Sequence, residues 1–494
     1  MASQHMGSVP MKNVQKNNSN NNAPSEMKAN REIGILSRRT LLGAALSAAA
    51  FRPKMAFAME KADVIVIGAG LSGLMAASLL KEQGMSVTVL EADSRPGGRI
   101  RTLYDSELNY EAGGAEVGPL YARTRQLCDS YSLSLVDPVD APMPGMALHV
   151  DRQLMSANQW RTSGLNHLPE DLRSTAPYAI EAKLLGRAPA LTDYESWLQP
   201  DQPYQCASYR NLLVDYGGND QALRFVDVSL PQEQLSALFM MRRAFSRAQS
   251  VNEGDMQYIK GGMSRLPDAM ADMLGDSVHL NAIVNSITDN GSGVVVRCSD
   301  GRQFSGSRVV LTVPLPVLDK IRIDPLPAPG QRMAWSAVPY GQAVSIFFPI
   351  TKPFWELDGL PPSLWSNSMT GRVFYRHTQD GPSLWYYASG TNARDILNLP
   401  PELAAKSAKE ALLKARPAVA DSIGPGTVFS WSEHPFSRST FAFRAPGNLS
   451  RLQQSLKAPH GRVHFAGEHT ADLEAGIEGA LESGERAAIE ILSL

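Results

Sequence analysis

The sequence predicts an α/β protein: a discontinuous Rossmann-like dinucleotide-binding domain joined to a mixed α+β second domain. Three observations carry this. A β-branched run, "ADVIVIGAG", leads into glycines at 68, 70 and 73. A helical and then a strand-like stretch follow it without a break, as one βαβ unit requires. Further buried-strand patterns end at Pro314 and at Gly467, with helix-rich and strand-rich stretches between.

Taken in order, "ADVIVIG" is apolar on both faces, as a buried parallel strand must be, and Gly68 closes it. "LSGLMAASLLKEQG" reads as a helix ended by Gly84, and "SVTVLEA" as the second strand. Gly68 permits the tight turn, Gly70 lets the backbone approach phosphate, and Gly73 lets helix pack on strand, so that the helix N-terminus faces an anion. Glu91 stands 18 residues after Gly73, where a carboxylate accepts ribose hydroxyls. A second glycine pair, Gly97 and Gly98, followed by Arg99, adds another close-approach turn and a cation beside the same pyrophosphate. A diffusible nicotinamide cofactor needs no such clamp, so the pattern points to a flavin dinucleotide.

Composition narrows the partners. The 494 residues are 43% hydrophobic and 19% charged, with a net charge of −2 and no long basic run, which argues against nucleic acid and for small molecules. Cys128, Cys206 and Cys298 lie far apart, so no disulfide framework or cysteine metal site is encoded. Residues 1–58 are different in kind: an asparagine-rich tail predicted to be disordered, then Arg38-Arg39, the apolar stretch Leu41 to Phe51, and "AFA" before Met59. This resembles a twin-arginine export signal and predicts a periplasmic protein with no stable membrane span.

From about Ala62 onward the sequence resembles the flavin-containing amine oxidase family. The family's E-A-x-x-x-x-G-G-R pattern is Glu91, Ala92, Gly97, Gly98 and Arg99, and its acid-glycine-V-G-P element is "YEAGGAEVGP", with Gly113 and Gly114. "IKGGMSRLPDAMADML" looks like the family's turn into a helix. "NAIVNSITDNGSGVVVRCSDGRQFSGSRVVLTVP" reads as a meander with turns at Asn290-Gly291 and Asp300-Gly301. "VHFAGEHTADLEAGIEGALESGERAAIEIL" resembles the C-terminal signature. The resemblance implies FAD, with Val284 against the adenine and Glu468, after Gly467, at the ribityl hydroxyls. It also implies a helix from about Gly476 whose positive end meets the flavin pyrimidine ring. The FAD-binding domain then comprises 62–120, 255–330 and 455–494, and the substrate domain comprises 121–254, helix-rich, and 331–454, strand-rich.

The departures from the family are informative. A strand lysine that holds water at flavin N5 in many members is Ser345 here, which leaves open whether oxygen or a redox carrier is the acceptor. The two aromatic cage positions of monoamine oxidases are Thr440 and Ile477. Tyr258, Phe441, Trp385 and Tyr386 are the aromatics left to supply a ring, although each reads more readily as a core residue. Ser439 replaces the flavin-linking cysteine of some members, which predicts non-covalent FAD. Glu116 stands near the position of a carboxylate-binding arginine in amino-acid-oxidising relatives, favouring an amine or diamine over an amino acid, with pairing to Arg123 or Arg125 as the structural alternative. Arg242, Arg243 and Arg444 keep amino acids open. His469 is read as packed near the cofactor and His434 as a loop residue.

These residues imply an FAD-dependent amine oxidase or dehydrogenase, with Glu116, Ser345, Thr440 and Ile477 lining the reacting end. An L-amino-acid oxidase, a flavin desaturase and a non-catalytic flavin-binding module remain as alternatives, and a homodimer is left open.

Overall fold

A computed structural model describes residues 59–226, 230–250 and 256–494; the expected tail and export signal over 1–58 lie outside them. Strand β1 (Val64–Ile67), helix α1 (Leu71–Glu82) and strand β2 (Val87–Leu90) form the expected βαβ unit. Gly84, at φ +82°, ends the helix, a backbone conformation that costs glycine little.

β1 and β2 sit in a five-stranded, wholly parallel sheet in the order Val278–His279, β2, β1, Arg308–Leu311, Val463–Phe465. Strands far apart in sequence therefore share one sheet. The "VIVI" of β1 works on both faces. Val64 and Val66 pack with α1, the helix Arg265–Leu274 and the C-terminal helix Gly476–Leu492, whereas Ile65 and Ile67 pack against a second sheet. That sheet holds the predicted meander, Val284–Asp289, Val294–Cys298 and Gln303–Gly306, with Arg322–Asp324 and Glu60–Lys61 at its edges. Each such fully buried side chain contributes about 1.5–3 kcal/mol relative to exposure.

A seven-stranded sheet forms the other half, in the order Thr427–Phe429, Ala343–Pro349, Gly381–Ser389, Arg372–Thr378, Leu364–Ser366, Ala147–Val150, Gln153–Met155. Its last two strands come from within 121–254, the stretch read as helix-rich. The hairpin "ALHVDRQLM" is too short for its apolar alternation to stand out, and it becomes a strand pair by adding to an existing sheet edge. Helices predominate among the other regular elements described in that stretch, the longest being Ala237–Ser250. On the central strands of the seven-stranded sheet, Val344, Ile346, Phe348, Leu384, Tyr386 and Ala388 face a core closed by the helix Pro401–Ala415. The intervening residues face the opposite way.

Candidate functional site

Three tight backbone approaches build one end of a cavity of about 520 Å³. Gly68, at φ +104°, lies where a Cβ would meet Thr312 Oγ1 at 2.5 Å, and a Cβ on Gly73 would fall 1.9 Å from the Gly68 carbonyl oxygen. A Cβ on Gly70 would meet nothing within 4 Å, so the open space lies over Gly70, at the N-terminus of α1, where no side chain caps the helix. Gly98 closes on it from the other side, a Cβ there lying 3.3 Å from the Gly70 Cα. A glycine cradle facing uncapped helix N–H groups is the geometry that receives pyrophosphate.

Glu91 lines the cavity and ties its walls together. One carboxylate oxygen accepts the Ala69 N–H at 2.6 Å and the other the Asp93 N–H at 2.8 Å. Burial pushes its carboxyl upward, while these two bonds pull the other way. Ala282, Ile283 and Val284 form the adjoining wall. Arg99 also lines the cavity, but its Nη1 donates to Glu468 Oε1 at 3.1 Å and to the Thr440 carbonyl at 2.6 Å. Glu468 Oε1 accepts the Ala442 N–H as well. Arg99 and Glu468, assigned separately from sequence to pyrophosphate and ribityl hydroxyls, thus form one ion pair with both members on the cavity wall.

Gly113 and Gly114 allow close packing beside Arg99: added Cβ atoms would lie 2.2 Å from the Arg99 carbonyl oxygen and 2.2 Å from Ile100 Cδ1. Gly467, at φ +124°, leaves no room for a Cβ against the His469 ring at 2.5 Å, and its N–H donates to Ser483 Oγ. His469 is buried below it, held neutral with a pKa pushed down to about 3 by burial and by Arg99, Arg444 and Arg486. Gly476, Ile477 and Ala480 bring the uncapped N-terminus of the C-terminal helix to the wall.

Ser345, Thr440 and Ile477 all border the cavity. Ser345 lies opposite Tyr387 on one neighbouring strand and Phe429 on the other, and both rings line the cavity. Thr440 holds the Gly341 carbonyl through Oγ1 at 2.7 Å. Trp385 and Phe441 also line the cavity, whereas Tyr258 is outside its wall. Tyr386 is core, the reading favoured from sequence: strand alternation turns it inward, where its hydroxyl donates to the Met369 carbonyl. Sequence reasoning missed Tyr387, Phe429 and Trp431. The alternation of "SLWYYASG" separates Tyr386 from Tyr387, but which face meets the cofactor depends on pairing with the 343–349 strand.

Glu116 departs from its expected place. It is not part of the cavity wall; its carboxylate is paired with Arg376, which also lies 5.0 Å over the Trp385 ring. The partner is neither expected arginine, because Arg123 binds Glu478 and Glu485 and Arg125 binds Gly118 and Gln257. A neutralised carboxylate removes the ground for preferring a diamine. His434, read as a loop residue, lines the cavity and pairs with Asp93.

The residues present fit a flavin dinucleotide: a glycine cradle open at Gly70, two uncapped helix N-termini, the Glu91 and Glu468 carboxylates, and a buried His434 Nδ1 without a partner. Among the described residues no cluster of side chains could hold a metal ion and no helix is long and apolar enough to cross a membrane.

Comparison with known proteins agrees. The model of the family "Flavin containing amine oxidoreductase" matches residues 71–492. The flavin-containing amine oxidase of Danio rerio is 27% identical over 470 residues, covering 87% of this chain and 85% of its own; the flavin-containing amine oxidase B of Homo sapiens is 27% identical over 471 residues, covering 88% and 86%. Among solved structures, putrescine oxidase bound to putrescine superposes with a TM-score of 0.73 at 24% identity, covering 88% of this chain and 100% of its own. Cyclohexylamine oxidase from Brevibacterium oxydans IH-35A gives 0.74 at 21%, covering 87% and 99%. Matched from the first helix of the βαβ unit through the meander to the C-terminal helix, the chain belongs to the flavin-containing amine oxidoreductase family and is an oxidoreductase.

Proposed function

We propose that this protein oxidises a small amine at the carbon next to nitrogen, using non-covalently bound FAD. The observation that carries the reading is the character of the cavity's far end, where Ser345, Trp385, Tyr387, Phe429, Phe441 and Ile477 present rings, a hydroxyl and methyl groups. Burying an ammonium among them disfavours its charged form, so the amine sheds its proton and exposes the lone pair without a strong protein base. Bound FAD supplies the two-electron acceptor, and the imine released hydrolyses to a carbonyl compound and ammonia. The chain excludes water, orients the amine between Tyr387 and Phe429, and places helix N-termini where negative charge gathers. Ser439, buried with its hydroxyl on the Ser437 carbonyl, supports non-covalent attachment.

A second reading, oxidation of an amino acid, has one observation in its favour. Arg242 is held by the Leu473 carbonyl, and Arg444 by Phe443, Gln453 and His469. Arg243 makes no hydrogen bond or ion pair among the described residues, and it lies 5.7 Å over the ring of Phe441, which borders the cavity.

The test is anaerobic mixing with monoamines, diamines and L-amino acids while the oxidised flavin absorbance is followed. Bleaching by amines supports the first reading and bleaching by amino acids alone the second; no bleaching by either sinks both. Admitting air then distinguishes the acceptor: rapid return of colour with peroxide means oxygen, and slow return means a carrier.

A further inference from the structure

His434 sits where the nucleotide end of the cavity meets the loop 430–440. Its Nε2 lies 3.3 Å from Asp93 Oδ2, its ring lies tilted by 55° against Trp431 at a centroid distance of 5.1 Å, and its side chain is 14% exposed on the cavity wall. Its Nδ1 is buried and has no hydrogen-bond partner. Asp93 is itself fixed, its N–H on Glu91 and its other carboxylate oxygen on the Ser94 N–H. Arg95, 3.8 Å from the same Asp93 carboxylate, donates to the Gly98 carbonyl and so ties this pair to the turn facing Gly70.

An imidazole with a carboxylate on one nitrogen and a buried, empty second nitrogen is costly to leave unsatisfied. We propose that His434 is a cofactor-binding residue: as an imidazolium bridging Asp93 and a pyrophosphate oxygen of FAD, it donates from both nitrogens and makes FAD affinity proton-linked. The inference rests on the chain binding FAD. The charged groups facing the ring are Asp93, Arg95 and Arg101, and without cofactor burial and the two arginines hold its pKa below the ordinary histidine value, against Asp93. A pyrophosphate oxygen on Nδ1 reverses that balance, since a neighbouring anion favours the charged ring. Binding FAD therefore takes up a proton, and affinity must fall as pH rises through the interval between the free and bound pKa values. The doubly esterified pyrophosphate of FAD does not change its charge in that interval, so the histidine carries the slope.

The experiment titrates apoprotein separately with FAD, ADP-ribose and riboflavin across pH 5.5 to 8.5, following quenching of flavin fluorescence or, for ADP-ribose, heat. For the wild type, the Kd of FAD and of ADP-ribose is expected to rise about tenfold across this range, equivalent to one pKa unit of coupling. Riboflavin, lacking phosphate, shows no slope. His434→Gln is expected to bind FAD about tenfold more weakly at the acid end and to lose the slope, while His434→Asn and Asp93→Asn, checked for an unchanged melt, flatten it. A purely structural role would weaken binding equally at every pH, and that outcome overturns the proposal, as does a wild type with no slope. Apoprotein that binds no FAD at any pH would sink the proposal together with the cofactor reading, whereas pH-independent binding sinks the proposal alone.

Discussion

Gly70 and Gly73 stand three positions apart and differ in what a methyl group would meet. At Gly73 it would strike the Gly68 carbonyl at 1.9 Å, forcing α1 off β1; at Gly70, with φ −72° and ψ 172°, it would enter open space. Gly73→Ala is therefore expected to destabilise the apoprotein by about 1–3 kcal/mol or more, and Gly70→Ala by less than about 1 kcal/mol while raising the Kd for FAD at least tenfold. Thermal melts of the two apoproteins and a flavin titration check both halves; a Gly70→Ala protein with wild-type affinity would mean that no phosphate approaches there. Glu111 supplies a different residue-scale prediction. Burial pushes its carboxyl up to about 7 despite hydrogen bonds from the Met263 N–H and Thr102. Its folded pKa lies above the unfolded one, so the folded state binds more protons between about 4.5 and 7. The associated stability is complete below that window and is lost as pH rises through it. Melts at about pH 5 and 8 should show wild type losing ground to Glu111→Gln as the medium becomes alkaline; parallel losses in both proteins would place the titration elsewhere.

The C-terminal helix reaches the cavity only because it lies against α1. A Cβ on Gly484 would fall 2.2 Å from the Ser72 carbonyl oxygen, and Ser72 and Ser483 share a hydrogen bond at 3.1 Å. Gly484→Ala is expected to part the two helices, cost about 1–3 kcal/mol and weaken FAD binding, because Ile477 and Gly476 move with the helix. A lowered melting point with unchanged FAD affinity would show that the helix N-terminus is placed independently of this contact. Elements of this kind were legible in the sequence: β1, α1, β2, the meander and the C-terminal helix follow from local period and from glycines whose reason is steric. What was not legible depends on pairing between distant strands. The Ala147–Val150 hairpin is a strand pair because Leu364–Ser366 is beside it, and Tyr387 joins the cavity because it faces Ser345. Glu116 shows the same limit in charge: its partner, Arg376, is 260 residues away, and no spacing rule links them.

For the molecule as a whole, the cavity is walled by residues from the nucleotide loop near 68–99, the segment 282–284, the strand with Ser345, the strand with Tyr387 and the C-terminal helix. A bound dinucleotide touching all of these must stabilise the fold through mass action, by about 2.7 kcal/mol when free FAD is a hundredfold above its Kd. Stripping FAD is expected to lower the melting point by several degrees, and the holoprotein's midpoint should climb with added FAD. ADP offers a finer comparison, because it reaches the cradle at Gly68–Gly98 and the wall at 282–284 but not Ser345, Tyr387 or Ile477. It should therefore recover only part of the shift even at saturation, leaving the seven-stranded sheet as vulnerable to limited proteolysis as in the apoprotein. Full recovery with ADP would mean that the nucleotide end alone governs stability and that the aromatic end of the cavity contributes to substrate binding without bracing the fold.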